Sequence, residues 1–187
     1  LHTDEQLITA YQEGDLEAFD LLYKRHKNAL YRYFYRQVKS AAIADELHQD
    51  VWMRIVKTSA VFNQQSLFST WLFKIAHNRL IDFYRSNKHQ NEAINETIDA
   101  EGNHSILTEA SSSSQPDALL NEAQMAEMVL KAVDELPSEQ RETFLLHEHS
   151  GLSLKEIANI TQVSFESSKS RLRYAVKKLR GQLRNLL

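Results

Sequence analysis

Apolar residues recur along this chain at helical spacing, and strand-like alternation is hard to find. Thr3-Asp4-Glu5-Gln6 reads as a capping box opening a short helix with Leu7, Ile8 and Tyr11 on its apolar side. Gly14 and Asp15 break and restart the pattern. A second helix over residues 16–38 carries Phe19, Leu22, Tyr23, Leu30, Tyr33 and Phe34 on one side, with Lys24, Arg25, Lys27, Arg32 and Arg36 on the other. Ser40 caps a third, over 41–59, with Ile43, Leu47, Val51, Ile55 and Val56 inward. After the polar stretch Asn63-Gln64-Gln65-Ser66, a fourth helix over 69–88 shows the stripe Trp71, Leu72, Ile75, Ala76, Leu80 and Phe83. These four helices predict a compact helical domain.

The period is lost over 89–117, which is rich in Asn, Glu, Ser and Thr and ends in Ser111-Ser112-Ser113-Ser114-Gln115-Pro116, the composition of a flexible linker. It returns at Leu119 and runs through Met125, Met128, Val129, Ala132, Val133 and Leu136. Pro137 stops that helix, and Ser138 begins the next, over 139–149. Ser153-Leu154-Lys155-Glu156 is a second capping box, opening a short helix with Leu154, Ile157 and Ala158 apolar. Thr161-Gln162-Val163 breaks it, and Ser164 starts a final helix with Phe165, Leu172, Val176, Leu179 and Leu183 predicted on one face. Its other face is basic, and residues 166–187 net +6. A short capped helix, a tight turn and a longer basic helix form a helix-turn-helix, whose second helix enters the major groove. Ser167, Ser170 and Tyr174 lie beside Lys169, Arg171 and Arg173, side chains suited to base edges and phosphates.

Charge sharpens this division. The chain has 187 residues and a formal charge of −3, but residues 1–90 net +2, 91–120 net −6 and 121–187 net +1. Two locally basic pieces flank an acidic connector. There is no cysteine, which excludes disulfides and cysteine-based metal sites or nucleophiles and fits a reducing compartment. No run has the apolar length of a membrane span and no signal-peptide pattern opens the chain, so an all-α, cytoplasmic protein without direct membrane insertion is expected.

Two further constellations stand out. Asp45, Glu46, Gln49 and Asp50 gather on one helix face, either a solvated acidic face or a docking face for a basic partner, with Trp52 as core or anchor. Lys74, His77, Asn78, Ile81 and Arg85 share the face opposite the Trp71–Phe83 stripe, either a polar solvent face or, behind an amide-rich loop, one suited to unstacked bases. Catalysis finds little support: His147-Glu148-His149 lacks the i, i+4 spacing of a helical zinc site, and there is no phosphate loop or nucleophile motif. No catalytic residue, metal or cofactor is expected.

Together these residues resemble the extracytoplasmic-function (ECF) group of bacterial RNA polymerase sigma-70 factors. Asp45-Glu46-Leu47-His48-Gln49-Asp50-Val51-Trp52 is similar to the family's core-polymerase-binding helix in the σ2 domain. Phe68-Ser69-Thr70-Trp71-Leu72-Phe73-Lys74-Ile75-Ala76-His77-Asn78, followed by Asp82 and Arg85, resembles its next segment. Leu136-Pro137, Gln140-Arg141, Gly151 to Ala158 and Lys169-Ser170-Arg171-Leu172 resemble σ4. The resemblance implies an all-α protein with a σ2 helical bundle (1–90), a flexible acidic linker (91–118) and a σ4 helix-turn-helix (119–187).

It also implies roles. Asp45, Glu46, Gln49 and Asp50 would face core RNA polymerase. Gln64, Gln65, Ser66, Leu67 and Phe68 would form the loop capturing a flipped base of the −10 element, with Lys74, His77 and Asn78 around the melted strand. Ser167, Lys169, Ser170, Arg171, Arg173 and Tyr174 would read the −35 element. The implied partners are core polymerase, promoter DNA and an anti-sigma factor of unidentified type. Gln64-Gln65 replaces the Gly-Asp type pairs common in the family, so the flipped-base preference is not carried over. The alternatives are a stand-alone helix-turn-helix regulator, which would bind duplex operator without polymerase, and a nucleic-acid-processing enzyme, which a magnesium-dependent nuclease assay would expose.

Overall fold

The computed structural model describes residues 2–63, 66–95 and 117–184, and every regular element among them is helical. The helices are α1 (Asp4–Gln12), α2 (Leu16–Val38), α3 (Ala41–Thr58), α4 (Phe68–Asn95), α5 (Asp117–Asp134), α6 (Ser138–Ser150), α7 (Leu154–Ile160) and α8 (Phe165–Arg184), with a 3-10 turn at Ser59–Val61. The start signals read from sequence act as expected. Thr3 and Gln6 exchange hydrogen bonds in a complete capping box, Asp15 accepts from the amides of Glu17 and Ala18, and Ser40 accepts from Ile43.

The N-terminal unit is a bundle of α1–α4 around Ile8, Leu22, Leu30, Phe34, Leu47, Val51, Ile55, Phe68, Leu72 and Phe73. α1 acts as a strap. Asp4 accepts from Arg25 at 2.7 Å and pairs with His26 at 2.6 Å, fastening its start to α2. Gln12 donates to the carbonyls of Ser59 and Phe62 at 2.7 and 3.1 Å, fastening its end to the turn after α3. Glu5 accepts from the Phe68 amide at 3.0 Å, which satisfies an otherwise partnerless donor at the start of α4.

Two expectations shift here. α4 runs to Asn95, beyond the predicted end at residue 88 and into the segment read as linker, and α5 begins at Asp117. Phe73, absent from the predicted stripe, is fully buried because α4 meets helices on more than one side, whereas Val56 of α3 is exposed.

The C-terminal unit packs α5–α8 around Ala132, Val133, Leu136, Leu145, Leu146, Leu152, Ile157, Ile160, Ala175 and Leu179. Gly151 ends α6 in the left-handed region at φ 64°, where a residue without Cβ is least strained. Ser153 and Glu156 form the second capping box. The turn into α8 passes through Gln162 at φ 55°, and the Val163 amide donates back to Ala158 at 3.0 Å. α8 keeps Leu179 of its predicted face buried and Leu172, Val176 and Leu183 partly so, but Phe165 is 41% exposed and Ser168 and Ala175 join the buried line. Small residues at 168 and 175 let α8 approach its neighbours closely. The two units are docked on each other, α6 against α2 and α7 against α4.

Candidate nucleic-acid interface

Asp45, Glu46, Gln49 and Asp50 project together from α3 and are all exposed. Arg79 of α4 borders this face, donating to Asp50 at 2.7 Å and pairing with Glu46 at 3.5 Å. Behind it Trp52 is core, 6% exposed, within an aromatic row that includes Phe19, Tyr23 and His48. The Trp52 indole can only donate, so His48 Nε2, 3.1 Å away, accepts and is unprotonated in this arrangement. Burial agrees, holding the His48 pKa below its usual value.

The candidate base-reading residues divide. Gln64 and Gln65 lie outside the described residues. Ser66 and Leu67 are exposed ahead of α4. Phe68 is 0% exposed, its ring packed against Phe62 and Trp71, so the structure places it in the core rather than in a base-capturing loop. Lys74 and Asn78 are exposed. His77 was expected on the same open face but is 9% exposed, with Glu142 of α6 bonded to its ring.

What covers His77 is a polar junction. Glu142 of α6 accepts from the Tyr33 hydroxyl at 2.6 Å, and His77 Nδ1 lies 2.7 Å from the same oxygen. With a carboxylate as acceptor, Nδ1 carries the proton. Burial, reinforced by Glu142, drives the Tyr33 hydroxyl well above its usual pKa, so it stays a donor. Thr70 donates to Glu156 Oε1 at 2.5 Å, while Glu156 Oε2 accepts from the Ser153 amide and hydroxyl at 2.8 and 2.6 Å. Burial opposes ionisation of Glu156, but the hydrogen bonds from Ser153 and Thr70 outweigh it and leave its pKa below the usual value. Arg36 meets Asp134 at 3.2 Å, and Arg141 donates to Gln37 at 3.3 Å.

No contact between the units was read from sequence: His77 was assigned to the melted strand and Ser153 and Glu156 to a capping box. α6 buries Arg141 and Thr143 alongside Leu145 and Leu146, so its polar residues do not simply mark a solvent face.

On α8, Ser167, Lys169, Arg173 and Tyr174 are exposed, while Ser170 and Arg171 are partly covered. At about 100° per residue, Glu166, Ser170, Arg173 and Lys177 form the outermost line, with Lys169 and Arg171 toward opposite edges. Arg171 is held by Glu139 of α6 at 2.7 Å, and Arg173 lies 5.0 Å from the centre of the Tyr174 ring. Ser164 accepts from the Ser167 amide at 3.1 Å, capping the helix at the end that would meet bases. Among the described residues no group of three or more His, Asp or Glu could hold a metal ion, and no helix is long and apolar enough to cross a membrane.

A helical bundle with an acidic face, paired with a helix-turn-helix whose second helix is basic and capped, defines a DNA-binding class, and the comparisons agree. The family model Sigma-70 region 2 matches residues 22–90, and Sigma-70, region 4 matches residues 126–179. The chain is 28% identical over 173 residues to the ECF RNA polymerase sigma-E factor of Escherichia coli K12, covering 91% of this chain and 88% of that one. It is 27% identical over 173 residues to the RNA polymerase sigma-H factor of Pseudomonas aeruginosa, covering 90% and 88%. The same fold occurs in the sigma factor RpoE, solved in complex with the anti-sigma factor NepR from Bartonella quintana, with a TM-score of 0.65, 22% identity, and coverage of 90% of this chain and 98% of that one. The chain belongs to the ECF group of the sigma-70 family of RNA polymerase sigma factors.

Proposed function

We propose that this protein acts in the cytoplasm as a promoter-specificity subunit: it binds core RNA polymerase, engages the −35 and −10 elements, and starts transcription without catalytic chemistry of its own. The observation that carries this reading is the pairing, in one chain, of the exposed Asp45–Glu46–Gln49–Asp50 face with the exposed basic face of α8. The acidic face suits a basic polymerase surface. Ser66, Leu67, Lys74 and Asn78 are placed for the melted −10 strand, Asn78 as the principal base contact, with Gln64 and Gln65 in the adjoining loop and His77 joining once uncovered. Ser167, Ser170, Arg173 and Tyr174 are assigned to −35 bases and neighbouring phosphates, and Lys169 and Arg171 to the flanking backbone.

The domains are assigned to 1–90 and 119–187, with 91–118 between them and α4 projecting to Asn95. An anti-sigma partner is part of the proposal, supported by the anti-sigma complex of the structural neighbour. The test adds purified protein to sigma-free core polymerase on a genomic fragment library and sequences the transcript starts. Discrete starts sharing two upstream motifs are expected. Binding of duplex operator without polymerase, and no protein-dependent starts with core from the protein's own host, would replace this reading with a stand-alone regulator.

A further inference from the structure

We propose that the first turn of α8 selects two base pairs of the −35 element: Glu166 accepts a hydrogen bond from a cytosine amino group, and Phe165 packs on the methyl group of a neighbouring thymine. This rests on the promoter-reading function proposed above and goes beyond it, giving bases to two residues that it leaves without a role.

Glu166 stands out by charge and by position. α8 carries Lys169, Arg171, Arg173, Lys177, Lys178, Arg180 and Arg184, and Glu166 is its one acid. An acid at the start of a helix suits the helix dipole from any side. Glu166 takes the outward side, on the line that continues through Ser170 and Arg173. It is exposed, and no ion pair or side-chain hydrogen bond holds it among the described residues. A carboxylate on that line is carried to the floor of the major groove when α8 docks. Guanine presents two acceptors there and thymine one, and both repel it. Adenine sets an acceptor beside its amino group. Cytosine presents an amino donor alone on its own edge, and is the base that a carboxylate fits.

Phe165 is the first residue of α8 and lies on one line with Lys169, Leu172 and Val176. Leu172 and Val176 are partly buried, beside Leu154 of α7. Phe165 extends that apolar edge beyond the protein: it is 41% exposed, and no other ring packs against it among the described residues. An open ring at the base-reading end of the helix matches the C5 methyl of thymine, the apolar feature of the major groove. Phe165 and Glu166 differ by about 1.5 Å along the axis and about 100° around it, which lets them reach adjacent base pairs.

The turn before α8 holds both residues in place. Gln162 takes φ 55°, and the Val163 amide donates to the Ala158 carbonyl at 3.0 Å. The Ser164 carbonyl accepts from the amide of buried Ser168 at 3.0 Å, and the Ser164 hydroxyl lies 2.8 Å from that of Ser167. A first turn fixed in this way loses little freedom on binding DNA.

The test uses holoenzyme, core polymerase loaded with the full chain, on a promoter library randomised across the −35 element. The unaltered chain should select a cytosine at one position and a thymine at a neighbouring one. Replacing that thymine by deoxyuridine removes the methyl alone and should weaken binding about three- to fivefold. Phe165→Ala should bind the thymine and uracil templates equally. Glu166→Gln should reduce the preference for cytosine at least about fivefold, because a carboxamide also donates to acceptor bases. A dipole role for Glu166 would instead lower the melting temperature of Glu166→Gln and leave the selected sequence unchanged, which overturns its contact. A uracil series without effect on the unaltered holoenzyme overturns the Phe165 contact, and that series needs no variant to fold. A selected −35 element that neither variant changes overturns the proposal and leaves promoter reading standing. A holoenzyme that starts transcripts without selecting any −35 sequence, or starts none, removes that reading itself.

Discussion

Arg171 and Arg173 offer a sharp test of how α8 meets DNA. They are two residues apart, about 200° of rotation around the helix, and cannot both point into the same groove floor. Arg173 lies on the outermost line and is held only lightly, over the Tyr174 ring at 5.0 Å, an exposed contact worth about 0.5–1 kcal/mol. Its removal should hardly affect folding but should cost about 1–3 kcal/mol of −35 recognition, roughly 5- to 150-fold in affinity. Arg171 faces α6 and pairs with Glu139 at 2.7 Å. Arg171→Ala should cost about 0.2–1 kcal/mol of stability, and at most one phosphate contact that weakens all sequences equally and lowers the salt slope by about 1. The assay measures holoenzyme affinity for promoter DNA and for the same DNA with its −35 element scrambled, across a salt series. Arg173→Ala should erase much of the difference between the two templates, and Arg171→Ala should leave it intact. If Arg171→Ala is the sequence-selective variant, or Arg173→Ala weakens both templates equally, α8 meets DNA through a different face.

Asn78→Ala should slow open-complex formation, followed by permanganate reactivity of unpaired thymines, while leaving core-polymerase affinity unchanged; lost core binding would instead give Asn78 a packing role. Phe68→Ala should cost about 3–5 kcal/mol in urea unfolding because its ring is buried, whereas a stable variant with altered −10 preference would return Phe68 to the base-reading loop. Acidification should weaken the N-terminal unit in two stages. Burial depresses the His48 pKa in the folded state, so the unfolded chain binds more protons, and stability falls as pH drops through about 6.5. Asp4 is lowered chiefly by its hydrogen bond with His26, so its stabilisation holds above the ordinary carboxylate range and is lost as pH falls through its folded-state pKa. Urea midpoints followed by tryptophan fluorescence from pH 7.5 down to about 2 should fall first below about 6.5 and again below the ordinary carboxylate range; a plateau between 7.5 and 5.5 would contradict the His48 assignment.

Features written in local spacing were legible. Both capping boxes, the Asp15 and Ser40 caps and the break at Thr161-Gln162-Val163 depend on residues within a few positions of one another. The exposed acidic face of α3 followed from helical phase alone. What escaped depended on partners remote in sequence. His77 has the sequence context of a solvent-facing residue, yet it is buried and bonds to Glu142, 65 positions away. Phe68 looked like loop because its amide is satisfied by Glu5, 63 positions earlier, which lets the helix start there. Phe165 fitted the apolar period of α8 but lies exposed, while Ser168 and Ala175, outside that period, are buried beside Leu179.

The placement of the two tryptophans gives the protein an uneven optical signature. Both belong to the N-terminal unit: Trp52 deep in its aromatic row, and Trp71 partly exposed beside Thr70 at the edge of the junction. Intrinsic emission therefore reports directly on one half of the molecule, and the helix-turn-helix melts without a tryptophan of its own. A far-ultraviolet trace that moves while emission stays constant would expose independent unfolding of α5–α8. Coincident traces would mean that the halves unfold as one cooperative body. Replacing Trp71 with phenylalanine would leave Trp52 as an interior probe, and the difference between the two emission signals would isolate events at the boundary between the halves.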